Sequence, residues 1–356
     1  MKIPAPILEI LDLARWAPSG DNTQPWRFEV VNEHHVIVHG HDTRDHCVYD
    51  LDGHPSQIAV GALIENIAIA ASGKGLLARI VRREGQPEIR PIFDVYLDPD
   101  AVKPDPLIPC IRKRAVQRRA MSRRPLTTQQ KQVLQSAVGP EYSILWFEGF
   151  KSKERIASLM FSNAKLRLTL PEAYSVHRDI IEWRARFSED RVPDQALGLD
   201  AGTTRLMHWV MGDWKRVEFF NRYLAGTLLP RIQLDLIPGM ACAAHFAILA
   251  RQPAHSSDDY IAAGRAMQRF WLTATSLGLW LQPEMTPLIF SRYVRESRTF
   301  TTQQQKIRMA QTLAERAERI FEGKLPHAVF MARIGMGPEP VARSIRKPLE
   351  SLLIEH

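Results

Sequence analysis

Between residues 14 and 28 the chain reads Ala-Arg-Trp-Ala-Pro-Ser-Gly-Asp-Asn-Thr-Gln-Pro-Trp-Arg-Phe. Ser19, Gly20, Asp21 and Asn22 are turn formers, so this loop offers backbone N–H groups, a hydroxyl and a carboxamide, which suit a planar ligand with polar edges. By residue type alone the same loop is also an ordinary helix-to-strand connection. Charge is concentrated in two further stretches. Residues 111–126, Ile-Arg-Lys-Arg-Ala-Val-Gln-Arg-Arg-Ala-Met-Ser-Arg-Arg-Pro-Leu, hold seven basic side chains, and residues 343–349 read Arg-Ser-Ile-Arg-Lys-Pro-Leu. On charge alone these are a solvated face or an RNA-binding arm, and a frayed basic tail. No Ser-His-Asp, Cys-His or paired-carboxylate arrangement names an acid or a base, so no side chain is assigned a catalytic role.

The elements that must position these residues follow from periodicity. Ile7, Ile10, Leu11, Leu13 and Ala14 mark a helix that ends before Pro18, because proline disfavours the helical conformation of the residue ahead of it. Residues 28–31 and 36–39 read as a hairpin around Asn32-Glu33-His34-His35. Residues 55–76 form a helix apolar all round, hence buried. Residues 260–279 repeat its layout: Gly61, Ala71, Gly75 and Leu76 match Gly264, Ala274, Gly278 and Leu279 at identical spacing. Residues 127–137 read as a capped amphipathic helix like the one that opens the chain. The pattern predicts an internal duplication, with chance matching of small residues as the alternative. The Pro104, Pro106 and Pro109 stretch, within residues 98–109, is the expected linker. Residues 160–235 read as mostly helical, with Trp183, Trp209, Trp214, Phe219, Phe220 and Tyr223 as plain core or as the roof of a pocket. Strands are expected at 241–249 and 328–334.

At 356 residues and 45% apolar the chain can bury a large core. A net charge of +8 suits nucleic acid or anionic small molecules, and with Lys and Arg spread along the chain the small-molecule reading is preferred. Cys47, Cys110 and Cys242 are far apart and odd in number, which indicates neither a disulfide framework nor zinc and fits a reducing cytoplasm. His39 and His41, with His34, His35, His46 and His54 nearby, lack a carboxylate or cysteine at ligand spacing, so no metal site is expected. Glu9 and Asp12 interrupt the first apolar stretch, which argues against a signal peptide, and the run 240–250 is too short for a membrane span.

The string Pro18-Ser19-x-x-Asn22-x-Gln24-Pro25-Trp26-x-Phe28 resembles the flavin-contacting loop of the FMN-dependent nitroreductase family. Residues 111–126 resemble that family's basic opening segment, although Ala115 or Val116 stands where a small hydroxyl residue is usual, and residues 343–349 resemble its terminal clamp on the FMN phosphate. The resemblance implies FMN contacts from Pro18, Ser19, Gly20 and Asn22, from Arg114, Arg118 and Arg119, and from Arg343 and Arg346. It also places Pro283, Met285 and Thr286 of Gln282-Pro283-Glu284-Met285-Thr286 near flavin N5. In the family each flavin lies between two subunits. Here the first half has the loop and the second half has the basic opening and clamp, which implies a fused pseudo-dimer with one complete site. The implied fold is α+β, a duplicated nitroreductase-like arrangement of antiparallel sheets flanked by helices. Residues 1–103 would form the first half and 104–356 the second, with a helical lid at 160–235.

The resemblance further implies hydride transfer from NAD(P)H through FMN to a nitroaromatic, quinone or similar acceptor, in a cytoplasmic protein without nucleic-acid or membrane partners. An alternative from another class is flavin storage, or a role in cofactor biosynthesis, without NAD(P)H turnover. An RNA-binding use of residues 111–124 is a third reading.

Overall fold

The computed structural model describes residues 4–354. Helix α1 (Ala5–Ala14) starts on proline and buries Ile7, Ile10, Leu11 and Ala14. Strands β1 (Trp26–Asn32) and β2 (His35–Gly40) form the expected hairpin, with Phe28 opposite Val38 and Val30 opposite Val36. Helix α2 (His54–Ser72) is buried on almost every side, and β3 (Leu76–Arg82) and β4 (Ile92–Pro99) complete a four-stranded antiparallel sheet. Its strand order is β3-β4-β2-β1.

After a crossing segment comes α3 (Thr128–Ala137), opened by a reciprocal capping box between Thr127 and Gln130. Strand β5 (Tyr142–Phe147) follows. A long excursion then carries α4 (Gly149–Leu168), α5 (Pro171–Ile180), α6 (Ala201–Met211) and α7 (Trp214–Tyr223) before the chain returns as β6 (Ala244–Ala250). Helix α8 (Ser257–Ser276) leads to β7 (Leu279–Pro283). Helices α9 (Thr286–Arg295) and α10 (Gln304–Phe321) precede the last long strand, β8 (Ala328–Met336). The second sheet is also antiparallel throughout, in the order β7-β8-β6-β5. Written from the strand that follows each buried helix, the two sheets therefore share one strand order. The molecule is a mixed α/β structure of antiparallel sheets and helices.

Helices α2 and α8 cross at their glycines. A Cβ on Gly61 would lie 2.0 Å from the Ile261 carbonyl oxygen, and one on Gly264 would lie 2.1 Å from that of Ile58. The contact is reciprocal, and its flanks pair in the same sense. His54 stacks on Tyr260 at 3.6 Å while Gln57 donates to Ser257, and Gln268 donates to Asn66 while Arg269 bridges Glu65. One apolar core runs through this crossing from Ile7 and Trp26 to Phe246, Phe270 and Leu352. A second, around Leu159, Phe290, Tyr293 and Phe321, binds α4, α9 and α10.

Several expectations shift. Helix α8 begins earlier than residue 260 because Ser256 and Asp259 form a second capping box. Residues 160–168 belong to α4, whose Leu159, Met160 and Leu166 are core, so they are scaffold rather than cover. Trp209, Phe219 and Tyr223 are not core: each is more than half exposed on α6 and α7. Among the described residues no helix is long and apolar enough to cross a membrane, and the three cysteines are free and buried.

Candidate functional site

The end of α1 is held by arginines from distant parts of the chain. Arg114 Nη2 donates to the Trp16 carbonyl at 2.9 Å, and Arg346 donates to the Ala17 carbonyl through Nε at 3.0 Å and Nη2 at 2.8 Å. Arg343 donates to the Arg112 and Arg114 carbonyls and lies over the Trp16 ring, while Arg114 lies over Trp271. Arg114 is only 3% exposed. Burial, then Arg346 and Arg343, holds its pKa well below the ordinary arginine value, and burial, then Arg343 and Arg15, brings Arg346 to about 9. The Nε atoms of Arg114 and Arg343 are buried without a hydrogen-bond partner. Three guanidinium groups that repel one another, two with an unused donor, form a place that an anion would stabilise.

The loop beside them is tightly wound. Asp21, Asn22 and Gln24 have φ of 51°, 64° and 51°, a left-handed conformation that Asp and Asn tolerate and Gln does not favour. Ser19 Oγ accepts from the Gln24 N–H at 3.0 Å. Asn22 Nδ2 donates to the carbonyls of Glu189, Arg191 and Ile345, and its Oδ1 is buried with no partner. Pro18 and Ser19 are half-buried, and Gly20 is exposed, with open space where a side chain would be.

Arg118 reaches the same region by backbone pairing. Val116 bridges Leu281 in parallel and the Gln117 N–H donates to the Leu281 carbonyl, so residues 116–118 run beside β7 towards Pro283. The Arg118 side chain reaches the Ala196 carbonyl at 3.5 Å, and Gly198 packs on its Cβ. Burial lowers the Arg118 pKa to about 10, with Asp21 opposing and Arg333 and Arg167 reinforcing the shift. In turn burial raises the Asp21 carboxyl, and Arg118 and Arg167 counter it. The structure thus brings the Asn22 loop and Arg118 together. Residues 187–196, part of the excursion between β5 and β6, lie across both. Arg119 is exposed and stands apart. Pro283, Met285 and Thr286 are half-buried where β7 passes into α9, with Met285 packed against both cores.

Sequence reasoning missed several groups here. Glu284 is buried and accepts from His245 Nδ1 at 2.7 Å and from Arg333 Nη1 at 3.1 Å, while His245 Nε2 donates to the Gly239 carbonyl at 2.8 Å. Burial opposes protonation of His245, yet the Glu284 carboxylate raises its pKa to about 10. Arg333 Nη2 donates to the Arg118 carbonyl, which ties this network to the site. The histidine inside an otherwise apolar strand was the one available signal. Arg167, near the end of α4, acts electrostatically on Asp21, Tyr49, Arg118, His177 and Asp235. Tyr49 and His177 are hydrogen-bonded at 2.8 Å. None of these last residues carries a local signature. Among the described residues no cluster of His, Cys, Asp and Glu could hold a metal, and His39 instead pairs with Glu29.

No protein-family model matches the chain. Over 350 residues it is 23% identical to Uncharacterized protein MT1398 of Mycobacterium tuberculosis (strain CDC 1551 / Oshkosh), covering 97% of this chain and 48% of that protein. The chain therefore spans about half the length of that relative. The crystal structure of a nitroreductase-like family protein from Bacillus cereus overlaps 69% of this chain and 94% of its own, with a TM-score of 0.32 and 11% identity. An overlap that loose does not define a common fold.

Proposed function

We propose that the protein is an FMN-dependent oxidoreductase of the nitroreductase type, taking hydride from NAD(P)H and delivering it to a nitroaromatic, quinone or similar small acceptor. The observation that carries this reading is the meeting of Arg114, Arg343 and Arg346 at the end of α1, beside the Asn22 loop, whose Asp21 in turn feels the charge of Arg118. The residues fit the cofactor chemically. Unpartnered Nε donors of Arg114 and Arg343 match phosphate oxygens, and the unpartnered Oδ1 of Asn22 matches an imide N–H. Bound FMN would supply the hydride-transfer chemistry. The chain's own residues bind and orient: the arginine trio would hold the phosphate, Pro18 to Asn22 and Arg118 the polar edge, and Pro283, Met285 and Thr286 the ring. The cationic surroundings would favour an anionic reduced cofactor.

One polypeptide would make one such site, by duplication of an ancestral half. The common strand order of the two sheets and the reciprocal crossing at Gly61 and Gly264 support that origin. A second reading, flavin storage without turnover, is favoured by the hydrogen bonds that residues 189–196 make to Asn22 and Arg118.

Purified protein should carry about one FMN per chain, and exchange of Arg114 or Arg118 for Ala should weaken its retention. Anaerobic mixing with NADH or NADPH separates the readings. Rapid bleaching of the flavin supports the enzyme, bound flavin that does not bleach supports storage, and an absence of flavin binding overturns both.

A further inference from the structure

A cleft of about 460 Å³ lies in the excursion between β5 and β6, lined by Arg184, Asp194, Thr204, Arg205 and His208, the last three from α6. Its volume is that of a small-molecule site. Arg184 and Arg205 bring two guanidinium groups to it from different elements. Among the described residues neither guanidinium has an ion-pair partner or a hydrogen-bond acceptor. Asp194 does not pair with them: it is 8% exposed, and its two oxygens accept from the Arg184 and Ala185 N–H groups at 2.9 and 3.1 Å. Two guanidinium groups against one carboxylate leave the lining net positive even with His208 uncharged. Such a lining favours an anion.

The backbone at Arg184 is held against its preference. Its φ of 60° is a left-handed conformation that arginine rarely adopts, and the Asp194 carboxylate pins it there. The next residue back adds a ring. Trp183 stacks on His208 with centroids 4.5 Å apart and planes within 16°, and neither ring has another aromatic partner among the described residues. A flat aromatic pair therefore borders the two cations, and a nucleobase can extend that stack.

The cleft adjoins the residues assigned above to the flavin. From Asp194 the chain passes through the turn Asp194–Ala196, whose Ala196 carbonyl accepts from Arg118 at 3.5 Å, and Gly198 packs on the Arg118 Cβ. A few residues earlier, the Glu189 and Arg191 carbonyls accept from Asn22. One short stretch thus touches Asn22 and Arg118 and also lines the cleft.

We propose that the cleft binds the 2′-phosphoadenosine end of the hydride donor, which makes that donor NADPH rather than NADH. Arg184 and Arg205 take the 2′-phosphate, whose oxygens match two planar forks, and the Trp183 and His208 rings take the adenine. The size of the cleft and its aromatic border favour a nucleotide over a bare phosphate. The assignment to a hydride donor rests on the oxidoreductase reading above, whereas the binding chemistry rests on the cleft alone.

The test is calorimetric titration of the purified protein, with its flavin content recorded by absorbance. The probes are adenosine 2′,5′-bisphosphate, which carries the phosphorylated end of NADPH, adenosine 5′-monophosphate, which carries that of NADH, and inorganic phosphate. The bisphosphate should bind at least about 10-fold more tightly than the monophosphate. Arg205→Gln, and Arg184→Asn with a residue that tolerates the left-handed backbone, should each weaken the bisphosphate by about 5- to 10-fold, the lower range for a charge-assisted contact open to water. Both variants should leave the monophosphate and the flavin content unchanged. Equal binding of the two nucleotides overturns the proposal, as does unaltered bisphosphate binding by both variants, or phosphate binding more tightly than the bisphosphate. If Arg184→Asn does not fold, Arg205→Gln decides. Anaerobic bleaching of the flavin as fast with NADH as with NADPH overturns the assignment of the donor. If the bisphosphate binds as expected and neither donor bleaches the flavin, the oxidoreductase reading fails while the chemistry of the cleft stands.

Discussion

Arg346 joins parts of the chain more than 300 residues apart by donating to the Ala17 carbonyl, while Arg15 reciprocates by donating to the Lys347 carbonyl. Replacing Arg346 with Met keeps its stem and removes the donors. The Ala17 carbonyl then loses charge-assisted partners, and stability should fall by about 2–3 kcal/mol, measured as a lower urea midpoint at unchanged slope. His245 gives a pH dependence of definite sign. Its folded pKa of about 10 exceeds the ordinary value of 6.5, so its contribution is complete below about pH 6.5 and is lost as pH rises through 10. Urea unfolding followed from pH 6.5 to 10 should show stability declining, and Glu284→Gln should flatten that decline. The turn at Asn22 was legible because Ser19, Gly20, Asp21 and Asn22 are turn formers between a helix and a strand. Glu284 lies between Pro283 and Met285, yet its role depends on His245 and Arg333, which only folding brings to it.

At the scale of elements, α2 and α8 touch through backbone. Gly61→Ala and Gly264→Ala each place a methyl about 2 Å from a carbonyl oxygen that cannot move without shifting a helix. Each should cost more than about 3 kcal/mol in thermal or urea unfolding, whereas Gly20→Ala, with open space around it, should change stability by less than about 1 kcal/mol. The small residues at matched spacing made this pair of helices readable in advance. The excursion from α4 to α7 was read less well, because helical periodicity does not say which face is covered. Leu159 and Leu166 of α4 are core, while Leu206 and Trp209 of α6 are open to solvent, and all four are apolar.

Across the whole molecule, the two sheets share a strand order but not their connections. Between β5 and β6 the chain inserts residues 148–243, whereas between β1 and β2 it has only the turn at Glu33 and His34. The shorter junction is exposed, and its neighbouring backbone already accommodates the hairpin. It should therefore serve as a graft position. Ten Gly/Ser residues placed between Glu33 and His34 should cost only about 1.5 kcal/mol of loop closure, read out as a small drop in melting temperature with the spectrum of the folded chain retained. A peptide tag or a small reporter domain could then be carried on the face remote in connectivity from the excursion, without recutting the terminal segments that hold Arg346 in place.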